Sequence, residues 1–248
     1  MALSPDQIDL FQKTGFVTAS KALSETEIAD LCAEWQRLWE AIDTTLDHQF
    51  VHWRETSNGK RVADRLDPVS QHSEIFKSAA NSPALRGLAE SLLGGRAFVL
   101  KDKLISKLPQ TNGYGLHQDW PYWANTGIQP DDVLSIAVAL DPATKANGAT
   151  AFYRGQHAGK LPTDEAGLDV DPKALGGLEP EIIAMAPGDA VCFHSLTPHQ
   201  SQPNQTKSSR RAWFITYAKC SEDNERSLAR YNAALDRVHK AHRRDALA

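Results

Sequence analysis

The sequence has little cysteine, and what it has is badly placed for cross-linking. Cys32, Cys192 and Cys220 are odd in number, far apart and in no CxxC pair. That excludes a disulfide framework or a zinc knuckle and fits free thiols in a reducing compartment, so a cytoplasmic location is expected. No apolar run approaches the ~20 residues that span a bilayer. The opening MALSPDQIDLFQKTGF carries charge early and has no unbroken apolar stretch, so neither membrane association nor a signal peptide is expected. Positive charge is not in excess: 27 Lys and Arg against 31 Asp and Glu leave a net charge of −4. No basic field is available for nucleic acid or an acidic membrane surface. Internal repeats and low-complexity tracts are missing too. With 248 residues the chain can bury one substantial core, and a single domain over 1–248 is the default reading.

The texture along the chain changes near residue 95. Residues 1–95 read as mostly helical. Ser4-Pro5-Asp6-Gln7 supplies an N-cap, a proline at the first helical position and early acid, and Gly15 follows as a stop. Ser24 with Glu27 makes a capping box ahead of Ile28, Leu31, Trp35 and Leu38 at helical spacing. A further helical region at 71–93 is interrupted at Asn81-Ser82-Pro83 and closed by Gly94-Gly95. Residues 96–218 hold short β-type runs instead: AFVLKDKLISKL, VLSIAVAL, ATAFY, EIIAMA, DAVCFH and RAWFITYAK. Turn signals separate them, including Pro109–Gly113, Asn147-Gly148, Pro187-Gly188-Asp189 and Pro203-Asn204. Short strands with no intervening helices predict an antiparallel sandwich or barrel. Residues 221–248 return to helix.

Two clusters carry chemistry. In GLHQDWPYW, residues 115–123, His117 and Asp119 are two apart; on a strand they share a face, with Gln118 opposite. An imidazole and a carboxylate suit a borderline divalent ion. The second cluster, PGDAVCFHSLTPHQSQPNQTKSSRRAWFITY, holds His194 and His199 and then Arg210 and Arg211 at the head of an apolar strand. Two histidines and one carboxylate on one face of an octahedron leave three adjacent positions open, the arrangement of non-haem Fe(II) oxygenases. Those positions accommodate the 2-oxo acid end of 2-oxoglutarate and O2. The far carboxylate of that cosubstrate then needs a cation, and a guanidinium fork fits it.

With these segments in view, the chain resembles the phytanoyl-CoA dioxygenase (PhyH-like) family of Fe(II)/2-oxoglutarate-dependent oxygenases. The resemblance covers most of the chain and rests on SPDQIDLFQKTGFV, KDKLISKLPQTNGYGLHQDWPYW, LDPATKANGATAFYRGQH and the His199 segment, with the joint pattern HQD, NG, GQH, PGD, HxS and a following Arg. It implies an α+β fold whose core is a double-stranded β-helix (jelly-roll, cupin-like) flanked by N- and C-terminal helices. It also implies His117, Asp119 and His199 as the metal ligands and catalytic residues. Arg210, eleven residues past His199, would hold the 2-oxoglutarate distal carboxylate, with Ser201 and Lys103 assisting. Trp123 resembles an aromatic that walls the pocket, and Trp120 is a neighbouring substrate candidate. Tyr153-Arg154 departs from the family pattern before GQH, which marks Arg154 for substrate choice.

Each assignment has a plainer rival. His194 competes with His199, and Arg211 must face away from Arg210 on a strand. His157 fits a loop-shaping role. Lys101, Lys103 and Lys107 share one strand parity, which by itself describes a solvent-washed face. Trp35 and Trp39 fit the core, and Arg65 and His72 are weakly marked substrate contacts. The reaction implied is hydroxylation, or another oxidation, of an unactivated C–H bond in a small molecule, with release of succinate and CO2. Asp119 stands where halogenases of the superfamily leave a small residue, which favours hydroxylation. The lysines and Arg154 point to an anionic substrate. Two other classes fit parts of the pattern: a cupin-like metal-dependent dioxygenase or isomerase without 2-oxoglutarate, and a non-catalytic ligand-binding barrel. Oligomeric state has no signature in the sequence.

Overall fold

The chain opens with two helices whose starts are dictated locally. The structure, a computed structural model, describes residues 3–42, 44–46, 50–55, 59, 61–109, 111, 113–163 and 169–233. Helix α1 (Pro5–Thr14) starts on a reciprocal Ser4–Gln7 capping box and stops at Gly15; α2 (Glu25–Ala41) starts on the Ser24–Glu27 box. Each box satisfies backbone N–H groups that the first turn leaves without partners. Helices α3 (Glu74–Ala80) and α4 (Pro83–Leu93) are split where Ser82 caps and Pro83 begins the second. The last described helix, α5, covers 222–233; the rest of the expected C-terminal helix lies outside the described residues. Among the described residues no helix is long and apolar enough to cross a membrane.

Eleven strands are found among the described residues: β1 (Phe16–Ala19), β2 (Val51–Glu55), β3 (Arg61–Leu66), β4 (Ala97–Lys107), β5 (Tyr114–His117), β6 (Val133–Ala139), β7 (Thr150–Phe152), β8 (Glu181–Ile182), β9 (Ala190–His194), β10 (His199–Ser201) and β11 (Arg210–Lys219). They form a seven-stranded sheet, β1-β9-β6-β11-β4-β3-β2, and a four-stranded sheet, β5-β10-β7-β8. Every strand pair is antiparallel. This is the expected α+β jelly roll. The six β-type runs of the sequence each contain a strand, and Pro187-Gly188 occupies the centre of a hydrogen-bonded turn with Gly188 at φ 89°. Residues 1–95 depart from expectation: besides helices they supply β1, β2 and β3. These strands lie at the two edges of the large sheet, where four to six residues suffice and apolar alternation is weak.

Strand alternation gives the large sheet two unlike faces. On one face Leu104, Ile136, Cys192, Trp213, Ile215 and Tyr217 pack under α1–α4 in the main core. Phe76 meets Trp213 edge-on at 5.0 Å, and Tyr217 Oη donates to the Ala80 carbonyl at 2.7 Å. Burying rings of this size contributes about 1.5–3 kcal/mol each relative to exposure. The other face lies toward the small sheet. There Phe16, Phe152 and Phe193 close one end of the interior, with Phe152 stacked on Phe16 at 5.0 Å. The register puts Lys103 opposite Phe214 and Lys107 opposite Arg210 on this same inner face. The lysine parity of β4 therefore marks the inside of the sandwich and not a solvent-washed surface.

Candidate metal centre and anion cavity

Cross-strand pairing brings the two histidines together. His117, last residue of β5, is directly opposite His199, first residue of β10, and their ring centroids are 4.2 Å apart. Each ring is fixed by its own backbone: His117 Nδ1 bonds the Gly115 carbonyl at 2.8 Å and His199 Nδ1 bonds the Thr197 carbonyl at 2.9 Å. Donating Nδ1–H to a carbonyl leaves Nε2 as a lone pair turned inward. Asp119 arrives differently from expectation. The strand ends at His117, and Asp119 sits at the start of a 3-10 turn over Trp120–Tyr122 with helical φ and ψ. The turn still aims its carboxylate at the imidazoles: Oδ1 is 3.7 Å from His117 Nε2 and 3.9 Å from His199 Nε2. Gln118 points the other way as expected, bonding the Leu196 and Gly159 carbonyls and the Leu161 N–H.

The electrostatics suit a cation at the focus of these three groups. Asp119 Oδ2 accepts from Ser135 Oγ at 3.0 Å, which orients the carboxylate while leaving Oδ1 directed inward. Burial alone would raise the Asp119 carboxyl, but His199, Lys103 and His117 and the Ser135 bond hold it below its ordinary value. Burial and then His117 push the His199 imidazole down to about 4, so it is a neutral donor at physiological pH. One ligand atom from each of the three residues lies within 4.8 Å of the others, and this is the sole such group among the described residues. Two imidazoles and one carboxylate converging this way match a facial set for a divalent ion. The donor set fits Fe(II).

A small cavity opens from this centre, lined by Lys103, Ile105, Tyr114, Thr150, Ser201, Arg210 and Phe214 among others. At one end Arg210, 4% exposed, donates Nη2–H to the Gly148 carbonyl at 3.1 Å, and its buried Nε has no partner. Lys107, 2% exposed, donates to the same carbonyl at 3.1 Å and to Ser201 Oγ at 2.6 Å. The Tyr114 N–H also donates to Ser201 Oγ, at 3.3 Å, so the hydroxyl's own proton remains for another acceptor. Burial, then Arg210 and Arg54, pushes Lys107 down to about 7, and burial lowers Arg210. Neither cation has an ion pair among the described residues. Two desolvated cations around one hydroxyl form a site for an anion.

The remaining sequence candidates are placed as follows. Arg211 faces away and forms a bidentate pair with Asp141 at 2.9 and 2.7 Å, as strand parity requires. His194 bonds Asp131 at 3.1 Å and His157 lies 5.4 Å from His194, so neither joins the His117–His199 pair. Lys103 lines the cavity midway, but Lys107, passed over in the sequence, is the lysine that touches Ser201. Trp123 does not wall the pocket; it is buried with Leu100, Ile128, Val133 and Tyr231 in a separate apolar cluster. Trp120 bonds the Ile128 carbonyl through Nε1. Of the three aromatics that follow Asp119, the one beside His117 is Tyr122, 6.2 Å edge-on and 47% exposed. Arg154 pairs with Glu181 at the surface and covers the Phe16 ring, away from the cavity lining. Lys101 pairs with Asp67 at 3.1 Å, and His72 lies 4.4 Å from the Phe50 ring. Trp35 and Trp39 stack at 4.3 Å in the helical layer, as expected of core residues.

The architecture and this cluster define a class, the jelly-roll oxygenases with a facial His-Asp-His set. The comparisons make it narrower. The profile of the phytanoyl-CoA dioxygenase (PhyH) family matches residues 11–212. A methylphosphonate hydroxylase of Gimesia maris is 31% identical, over 90% of this chain and 84% of the relative. A 2-aminoethylphosphonate dioxygenase from an uncultured bacterium is 28% identical over 89% and 84%. In fold, EctD from S. alaskensis with bound Fe superposes with a TM-score of 0.75 at 19% identity, covering 88% of this chain and 77% of that one. The chain belongs to the phytanoyl-CoA dioxygenase family, and with it to the dioxygenases that use Fe(II) and 2-oxoglutarate on small molecules.

The close approach of β5 to β10 depends on Gly113. A Cβ there would lie 1.8 Å from the Ser201 carbonyl oxygen, an impossible contact that must separate the chains. Gly113→Ala is expected to lower the thermal midpoint and to weaken divalent-metal binding together; circular-dichroism melting and equilibrium dialysis measure the two.

Proposed function

We propose that this dioxygenase holds Fe(II) through His117, Asp119 and His199, grips the distal carboxylate of 2-oxoglutarate with Arg210 and Ser201, and oxidises a C–H bond of a small anionic molecule. The observation that carries the reading is the pairing of two sites in one cavity. Three donors converge on one point, and a buried guanidinium with a free Nε stands further along the same inner face. Bound iron and 2-oxoglutarate would supply oxidation by O2 coupled to decarboxylation to succinate.

The chain's own residues position and protect. The Gly115 and Thr197 carbonyls hold the two imidazoles in the tautomer that presents Nε2. Ser135 steadies Asp119, and Thr216, 3.2 Å from Ser135 Oγ, extends that support to β11. Arg210 offers a charge-assisted bond from Nε, and Ser201 has a proton to donate beside it. Lys107 adds a second charge at this end. The Phe152–Phe193 wall, with Phe152 5.7 Å and Phe193 4.9 Å from the His199 ring, keeps water from that side. The full coordination set favours hydroxylation over halogenation, because Asp119 occupies the third protein position.

Replacement of His117 or Asp119 by Ala is expected to abolish both Fe(II) retention and succinate release; retained turnover in either variant would rule the metal assignment out. Arg210→Ala is expected to raise the 2-oxoglutarate requirement roughly a hundredfold or more, since truncating a buried charge pair costs several kcal/mol. Arg211→Ala, on the opposite face with its own acid, should change it little. Titrating 2-oxoglutarate against succinate formation separates the two.

The Lys107 ammonium titrates near neutrality in the free protein, and a bound carboxylate would raise it. Below about pH 7 it is already charged; above, binding must take up a proton. The 2-oxoglutarate affinity should therefore weaken with rising pH above 7, by at most tenfold per unit. Anaerobic calorimetry across this range checks the slope, which Lys107→Met should remove.

A further inference from the structure

We propose that Lys103, in the cavity, and Arg65, beside it on the inner face of the large sheet, form a second anion position, distinct from the one at Arg210, that holds the charged group of the substrate. This rests on the oxygenase reading above and names the part of the site that selects the substrate. The ligand chemistry is a compact oxoanion, a phosphonate or a carboxylate, on a small organic molecule.

The placement follows from sheet register. Arg65 on β3 is opposite Ile105 on β4, and Ile105 lines the cavity, so Arg65 stands on the inner face. Lys103 is two residues back on β4, on the same face and diagonal to Arg65, where long side chains meet. Phe214 lies opposite Lys103, and the Lys103 ammonium is 5.5 Å from that ring. Lys103 makes no hydrogen bond or ion pair with any described residue. Arg65 reaches His52 Nδ1 at 2.7 Å through Nη2, while its buried Nε has no partner.

The nearby acids are too few for the cations around them. Asp67 binds Lys101 through Oδ2 at 3.1 Å and keeps its buried Oδ1 without a partner, and Asp119 faces the histidines and Ser135. Three cations, Arg65, Lys101 and Lys103, thus surround a single available acid, Asp67. Burial and then Lys101 push Lys103 down to about 8, against the opposing pull of Asp119 and Asp67.

Lys103 cannot serve the cosubstrate tail as Lys107 does. Four residues of strand separate them, about 13 Å at the usual rise. Lys107 shares a carbonyl with Arg210 and bonds Ser201, whereas Lys103 stands beside Asp119. The two anion positions therefore lie at separate places along β4. An oxoanion between Lys103 and Arg65 would keep its attached carbon near the metal centre, and an unlike neutral molecule would leave both cations buried and unmatched.

The test is anaerobic calorimetry on the full chain loaded with Fe(II) and 2-oxoglutarate. The probes are methylphosphonate, acetate and the neutral diester dimethyl methylphosphonate. Wild-type protein should bind at least one anion and not the diester, and the stronger of the two anions identifies the oxoanion. Lys103→Met and Arg65→Met should each weaken that binding tenfold or more while 2-oxoglutarate affinity stays within twofold; Lys103→Arg should restore most of it. The proposal is overturned if no anion binds, if the diester binds as well, if both Met variants bind like wild type, or if Lys103→Met loses 2-oxoglutarate instead. Failure of wild-type protein to bind 2-oxoglutarate would sink the oxygenase reading and this one with it; failure confined to the anions sinks this one alone.

Discussion

Cations desolvated on the inside of a β sandwich are the constraint from which the site follows. Lys103, Lys107 and Arg210 project from paired strands into a space enclosed by a second sheet. They are buried or half-buried there, and among the described residues no acid forms an ion pair with them. Such groups destabilise the empty fold, and each would be relieved by a bound anion. The stability lost to them has to come from elsewhere. The opposite face of the same sheet provides it, where Trp213, Tyr217, Phe76, Leu31, Leu38, Leu85 and Leu88 are fully buried. One sheet thus divides the labour: its outer layer holds the fold together, and its inner layer is left electrostatically incomplete.

The small sheet completes the division. It is short, but its β5–β10 pair does two things at once. It sets His117 opposite His199, and it brings Ser201 within reach of Lys107 two residues further along. His199 and Ser201 are therefore two residues apart on β10, and on the large sheet Arg210 stands opposite Lys107. The register of two strand pairs fixes the distance between the centre and its anion site, so a one-residue slip would dismantle both.

How much of this was legible in the sequence depended on whether a signal was local. Capping boxes at Ser4 and Ser24 and the split at Ser82-Pro83 were readable because a few adjacent residues decide them. The runs that became β4, β6, β9 and β11 were readable because the strands are long or wholly apolar. Strands β1, β2 and β3 were not, since they are short strands at or next to the sheet edges inside a helical neighbourhood. At the site, HxD, the distal His199 and the spacing to Arg210 came from a joint pattern. Arg154 is marked by a departure from the family pattern, and Trp123 by its nearness in sequence to the ligands, which does not survive a turn: the 3-10 segment after Asp119 rotates Trp123 into an apolar cluster and leaves Tyr122 beside His117. Lys107 was the reverse case. Its signal was present in the shared parity of Lys101, Lys103 and Lys107, but parity cannot say which face of a strand is inside.

That ambiguity has a physical resolution. By sequence parity alone, a strand with Lys101, Lys103 and Lys107 on one side and Leu104 on the other has an obvious solvent side. β4, however, is a central strand, covered by helices on its apolar face and by the second sheet on the other. In a sandwich the polar residues of a central strand can only be interior, and interior polar residues are retained where a ligand matches them. The partner strand carries the same message: Arg210 and Thr216 share the inner face with Phe214 and Ala212, an unusual mixture for a packed interior. Mixed polarity on the inner side of two adjacent central strands is thus a readable sign of a site, independent of any motif, and here it points to the same cavity as the histidines do.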